Sequence, residues 1–252
     1  MTQNNKFKKL RSFNLIVGFI HLIQAIFMVW LSSDFAISIT SSYMMGPPGT
    51  DRFGTETFFD VRVGILVALF MFLSSIAHFS VATFAYKWYQ KNIKNHINRA
   101  RWIEYSLSSS LMIIIIAMLV GITDAGVLVS IFIVNASMIF FGWLMESLNQ
   151  HTEKVVWSPF IFGCIAGAAP WITIFIRLLT ASSKSPVGIP NFVIGIFVSL
   201  FIFFNIFAIN QLLQYKKVGR WQDYLYGEKM YIVLSLFAKT ALAWQVFAGT
   251  LM

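Results

Sequence analysis

Charge is what this chain has least of. Only 12% of its 252 residues are charged, against roughly 25% in ordinary soluble domains. Hydrophobic residues make up 58%, and the mean hydropathy is +0.72. That excludes a soluble globular domain and points to a polytopic membrane protein, read most simply as one domain over residues 1–252. There is a single cysteine, Cys164, so no intrachain disulfide can form. It sits in an apolar span and reads as a small core residue. Four histidines and ten carboxylates offer no metal-ligand spacing. No phosphate loop and no nucleophile–base motif stands out, so an enzyme is not expected. No small-residue cleavage site follows the first, long apolar run, which argues against a signal peptide. The scarce charge is mostly positive, at +9 net. It clusters between apolar spans, where anionic headgroups lie, so the partner it implies is the lipid bilayer rather than nucleic acid.

What is there is seven long apolar runs: Leu10–Leu31, Phe58–Tyr86, Ile97–Gly121, Ala125–Leu148, Trp157–Thr180, Phe192–Tyr215 and Tyr224–Leu251. Each can cross a bilayer as a helix, and an open strand cannot. The expected fold is therefore an all-α membrane bundle of seven transmembrane helices. Fourteen Lys and Arg lie on the side of the N-terminus and four on the other, with Lys239 the nineteenth. The positive-inside rule then places the N-terminus in the cytoplasm and the C-terminus outside. The first connection is the long one. Its stretch AISITSSYMMGPPGT alternates and then breaks at Pro47 and Pro48, so it suits either a short β-hairpin over the outer face or a disordered loop.

One residue stands out against this background. In Tyr231–Met252 the sole charge is Lys239, with eight residues before it and thirteen after. An ammonium near mid-bilayer costs a few kcal/mol even on permissive scales (about 2.5–3.5). It could pair with a buried carboxylate, relay protons, or anchor an aldehyde covalently. Glu104 is the only carboxylate of the third span, with Arg101 at i−3 and Ser108 at i+4 on its face. It is the leading partner for Lys239; pairing with Arg101 near the headgroups is the alternative. Ser235, one turn before Lys239, either bonds the lysine nitrogen or bonds back to its own helix.

Other polar residues sit in pairs. His21 with Gln24, and Ser74 with His78, stack on one face of two adjacent helices and must turn inward, where they could form a proton-accepting cluster. Asn135, Met138 and Gly142 share a face. Glu146, near the end of that span, reads as an interface residue. Gly163, Gly167, Pro170 and Trp171 on one span, and Phe201, Phe204 and Asn205 on the next, could leave room for a ligand and wall it, or simply pack helices. His96 and His151 read as solvated.

The stretches WIEYSLSSS (102–110), NASM (135–138), FGCIAG with PW (162–171), LQYKKVGRWQDYLYGE (213–228) and YIVLSLFAKTALAWQ (231–245) closely resemble heliorhodopsins, as does the GPPGT loop. The resemblance covers all seven spans. It implies a rhodopsin-like retinal photoreceptor with its N-terminus inside, the orientation that the charge count gives independently. By resemblance Lys239 carries all-trans retinal as a protonated Schiff base, Glu104 is its counterion and Ser235 its neighbour. His21 and His78 match a cytoplasmic-side polar cavity, with Gln24, Ser74 and Tyr105 near them. Ser108, Asn135, Met138, Gly142, Gly167, Trp171, Phe201, Phe204 and Asn205 complete the retinal-pocket set. A homodimer partly covered by the first outer loop is implied as well.

The expected mechanism is isomerisation to 13-cis, proton transfer into the cluster around Glu104, His21 and His78, and a slow return suited to a sensor. A pump needs separate donor and acceptor groups on opposite sides. Further along the third span, residues 111–120 read LMIIIIAMLV with no carboxylate or other titratable group for re-supply, so sensing is favoured over pumping. A light-gated channel or a non-photochemical transporter is the alternative. The basic connections could dock an acidic cytoplasmic signalling partner.

Overall fold

A computed structural model describes residues 3–186 and 188–250 of the chain. Seven of its helices are long and apolar enough to cross a membrane. Each is built on one of the apolar runs, and the first and fifth of them extend beyond it, from Gln3 and to Lys184. In chain order, α1 (Gln3–Leu31) leads into two strands, β1 (Ala36–Met44) and β2 (Phe53–Arg62). Then come α2 (Val63–Ala82), a short α3 (Tyr86–Lys94), α4 (Arg99–Leu119) and α5 (Ala125–Leu148). The chain finishes with α6 (Ser158–Lys184), α7 (Asn191–Tyr215) and α8 (Tyr224–Thr250). Consecutive helices neighbour each other in the bundle, and α8 closes it against α1 and α2.

The second span differs from its expected limits. Phe58–Arg62 is strand, not helix, because Phe59 and Val61 alternate with Asp60 and Arg62 and pair with β1. The helix begins only at Val63, where the alternation stops. At its other end Tyr86 belongs to α3, a separate amphipathic helix that buries Tyr89, Asn92 and Ile93. The last expected residue of the seventh span, Leu251, lies outside the described residues. Cys164 is not in the core: it is exposed, beside the exposed apolar residues Ile161, Phe162 and Ile165.

The first connection is an ordered antiparallel hairpin, paired from Ala36↔Arg62 to Met44↔Phe53 with a bulge between Ile39 and Thr40. Its turn is closed by Thr50, whose backbone N–H and hydroxyl both donate to Pro47 O, at 3.1 and 2.7 Å. Gly49, at φ 90°, supplies the left-handed residue the turn requires. Ile39 is buried in the main core with Met28, Val63, Val120 and Ile122, so the hairpin covers one end of the bundle.

A second anchor fixes it there. Helix α4 ends in a Schellman turn: Gly121 (φ 84°) bonds back to Met118 O and Ile122 to Ala117 O. The chain then presents Thr123 and Asp124 to the hairpin. Thr40 N donates to Thr123 O at 2.9 Å. The Asp124 carboxylate accepts from Ser42 N at 3.0 Å and, as N-cap of α5, from Val127 N at 3.1 Å.

Those backbone donors, Ser42 first and Val127 next, hold the Asp124 carboxyl below the usual aspartate range. A folded value beneath the unfolded one means the ionised form stabilises docking. The contribution is complete above the unfolded aspartate pKa of about 3.9 and is lost as pH falls through the lowered folded value. Asp124→Ala should therefore speed amide hydrogen exchange at Thr40 and Ser42 at neutral pH, and acidification should do the same to the unaltered chain. Unchanged protection in both would mean the hairpin is held without Asp124, by Ile39 and the Thr40–Thr123 bond.

Candidate functional site

Lys239 projects from α8 into the bundle and is 2% exposed. Its Nζ donates to Glu104 Oε1 at 2.6 Å. Ser74 Oγ, from α2, lies 2.6 Å from the same oxygen as a second donor, and 3.0 Å from Phe70 O of its own helix. The Lys239 and Glu104 side chains are 3% and 9% exposed. A lone charge this deep would be very costly, and the pair neutralises both. Lys239 Nζ also sits over the Tyr105 ring, 5.1 Å from its centroid. Ser235 Oγ is buried yet forms neither of its expected bonds, to Lys239 or to its own helix, and faces Tyr105 instead; Ser108 Oγ, likewise buried, faces Glu104.

Lys239, Ser108 and Ser235 border an elongated, mainly apolar cavity of about 120 Å³ between α4, α5, α6, α7 and α8. Tyr105, Met138, Gly142 and Phe204 line it as well, together with Trp102 and Tyr231, which the sequence did not single out. Others of the expected pocket set stand behind this wall. Asn135 is buried and donates to Ser109 Oγ at 2.9 Å and Ser110 Oγ at 3.0 Å. Gly167 backs onto Met138. Trp171 packs edge-on against Phe197, Phe201 and Phe204. Two residues depart from the expectation. Phe201 is 44% exposed, and Asn205 is exposed and donates to Phe201 O of its own helix at 2.8 Å. One helical turn apart on α7, they satisfy themselves on its outer side.

On the other side of Glu104 lies a smaller, polar cavity of about 40 Å³, bordered by Asn14, His78, Tyr89, Asn98, Arg101 and Glu228. Of the two expected histidines His78 borders it and His21 stands behind, their rings stacked with centroids 5.7 Å apart. His78 Nδ1 lies 2.8 Å from Asn14 Oδ1, and His21 Nδ1 lies 3.3 Å from Met71 Sδ. Gln24 is buried one turn further along α1. Among the described residues no group of three His, Cys, Asp or Glu could hold a metal ion.

Arg101 does not pair with Glu104. Its guanidinium bridges two other buried carboxylates, Glu146 of α5 at 2.5 Å and Glu228 of α8. Glu146 is 1% exposed, so it is not an interface residue. It also accepts from Trp102 Nε1 at 2.5 Å, Asn98 N at 2.9 Å and Tyr224 OH at 3.1 Å. The guanidinium carbon stands 3.8 Å from the Tyr231 ring centroid and 4.3 Å from that of Trp102. Sequence reasoning missed Glu228 altogether. The available signal was arithmetic: Arg101, Glu146 and Glu228 all fall at the same end of three apolar spans, and none can stay buried alone.

The comparisons bear on what this arrangement is. The chain is similar to the structure of Exiguobacterium sibiricum rhodopsin, with TM-score 0.65, 18% identity and 96% of each chain covered. It is similar to the light-driven proton pump of Leptosphaeria maculans, with TM-score 0.67, 15% identity, and 98% of this chain and 97% of that one covered. It is also similar to the transmembrane domain and linker region of Salpingoeca rosetta rhodopsin phosphodiesterase, with TM-score 0.69, 14% identity, and 98% and 74% covered. At these identities the likeness shows the rhodopsin fold. A comparison with curated protein sequences finds no match. The heliorhodopsin family model matches residues 10–251, nearly the whole chain, and so the protein belongs to the heliorhodopsin family.

Proposed function

We propose that this chain is a light sensor with retinal anchored on Lys239, and that it does not pump ions. The observation that carries this is Lys239 on the wall of an apolar cavity, with Glu104 behind it at 2.6 Å from its nitrogen. Family membership implies retinal as the chromophore, and the residues present suit it. A Cβ at Gly142 would come within 2.5 Å of the Trp102 ring, and one at Gly167 within 2.4 Å of Met138 Sδ. Glycine at both positions lets Trp102 and Met138 draw back and form the cavity walls. The hydroxyls of Ser108 and Ser235 border the same space as Lys239.

Bound retinal supplies absorption of visible light and an isomerisation, from all-trans to 13-cis. The protein's part is electrostatic. The Glu104 carboxylate balances positive charge at the Lys239 nitrogen, favouring its protonated form. Ser74 orients that carboxylate by donating to the oxygen that faces Lys239. Disturbing the pair lets the proton leave Nζ for Glu104, with His78 and His21 behind it on one continuous polar face. Return through the same groups is slow where no external donor competes, as a sensor requires.

The absence of pumping rests on where the charges lie. Among the described residues the buried charged side chains other than Lys239 are Arg101, Glu146 and Glu228, with Glu104 beside them. All lie from Lys239 toward the end of the bundle where α4 and α8 begin. Toward the other end Met112, Ile113, Ile115–Met118, Val67, Ala68, Phe70, Leu242, Ala243 and Val246 form an apolar core, and the polar pair Ser199–Gln245 beside it carries no ionisable group. A proton released from Lys239 therefore has one polar route, out and back. We assign that end to the cytoplasm from the fourteen-to-four charge asymmetry. The exposed Met44, Met45, Phe53, Phe58 and Phe59 of the hairpin support a homodimer covered from outside, and a cytoplasmic partner would read the opposite end.

Expressed with retinal, the protein should show a visible absorption band that Lys239→Ala abolishes and Glu104→Gln shifts. A band that survives the first change would end the retinal reading; an unshifted band in the second would remove Glu104 as counterion. Illuminated cells should carry no sustained photocurrent, and a sustained one would establish transport. Gly142→Ala should cost about 1–3 kcal/mol through overpacking against Trp102 and lower retinal uptake, read by thermal melting and by absorbance.

A further inference from the structure

We propose that Glu228 holds a proton in the resting protein and exchanges it with the Glu104–His78 side through the polar cavity between them. The argument begins with charge. Arg101 brings one positive charge to two carboxylates, all at most 7% exposed. Two carboxylates sharing one site do not both ionise readily. One proton makes the group neutral, which the membrane interior favours.

Hydrogen bonding decides which carboxylate carries it. Glu146 accepts from four donors: Arg101, Trp102 Nε1, Asn98 N and Tyr224 OH. That saturates an ionised carboxylate. Glu228 accepts from two, Arg101 and, at 2.6 Å, Asn98 Nδ2. It keeps capacity for an O–H, and it alone of the two borders the polar cavity.

The same cavity gives the proton somewhere to go. It runs from Glu228 to Glu104 and His78, and about 40 Å³ exceeds the roughly 10–15 Å³ a water needs. The groups facing it are these three together with Arg101, Tyr105 and Tyr89. Burial pushes the Tyr89 phenol well above its ordinary range, so it stays a fixed donor. In the exchange an O–H bond at Glu228 breaks, water carries the proton, and an N–H bond forms on His78. His78 becomes cationic beside the Glu104 carboxylate, and Arg101 balances the new carboxylate. The light dependence of this step rests on the retinal reading above; the resting protonation does not.

Infrared absorption of the full chain in lipid vesicles, without retinal, tests the protonation. A protonated-carboxyl stretch that moves in D₂O and on ¹³C-glutamate labelling should be present at neutral pH. It should vanish in Glu228→Gln and persist in Glu104→Gln. Absence of the band from the unaltered protein overturns the proposal without any variant, as does a band that Glu228→Gln leaves unchanged. With retinal bound, illumination should weaken or shift the band; a light-insensitive band overturns the exchange. A missing visible band alone fails the photoreceptor reading and leaves the retinal-free result intact.

Discussion

The ion pair of Lys239 and Glu104 is the constraint around which the bundle is built. An ammonium at that depth is tolerable only with an anion in contact, and the anion only with its remaining lone pairs occupied. This fixes three helices at once. Helix α8 must turn its lysine inward, α4 must meet it with Glu104, and α2 must bring Ser74 to the same oxygen. The small Ser74 side chain, 0% exposed, also leaves room for this approach. A cavity beside such a pair is chemically directed space, because the one charged group on its wall is the Lys239 nitrogen, with the hydroxyls of Ser108 and Ser235 near it.

A second ion cluster sits behind the first and shares walls with it. Trp102 and Tyr231 line the apolar cavity, and the same two rings flank the Arg101 guanidinium. Trp102 is further tied to Glu146 through its indole N–H. Tyr231 is tied to α4, its carbonyl accepting from Tyr105 OH at 2.9 Å. A change in the shape of the cavity's contents must therefore press on residues that also hold the cluster together. Packed aromatic rings and buried charges do not deform continuously. They shift between discrete arrangements, which is what a switch between two receptor states demands.

Much of this was legible in the sequence, and the boundary of legibility has a physical cause. Apolar length gave the seven helices, and Ala125–Leu148 was read to the residue. Lys239 and Glu104 were visible because one is the sole charge of Tyr231–Met252 and the other the sole carboxylate of its span. The hairpin was only half legible: alternation and Pro47–Pro48 suited it, but its docking depends on Asp124, eighty-two residues from Ser42 in sequence. Glu104 and Arg101 looked like partners because local spacing is what a sequence displays. The real partners of Arg101 lie 45 and 127 residues away. Asn205 shows the converse error, a polar residue in a span that bonds its own helix and needs no interior partner.

The asymmetry of the buried charges carries the functional argument furthest. The fold is shared with proteins at 14–18% identity, one of them a light-driven proton pump, so the fold cannot distinguish a pump from a sensor. The proposal that this chain does not pump rests instead on the placement of ionisable groups. A vectorial path needs polar stations on both sides of the Lys239 nitrogen. Here Glu104, His78, His21, Arg101, Glu146 and Glu228 gather toward one end, while the core toward the other end is methionine, isoleucine, valine and phenylalanine. To reverse that character would take ionisable side chains introduced into α4 beyond Met112 and into α8 beyond Leu242, each with a partner to offset its burial. No single substitution supplies both members of such a pair, so the one-sided polar path is a property of the bundle's packing and not of any one residue.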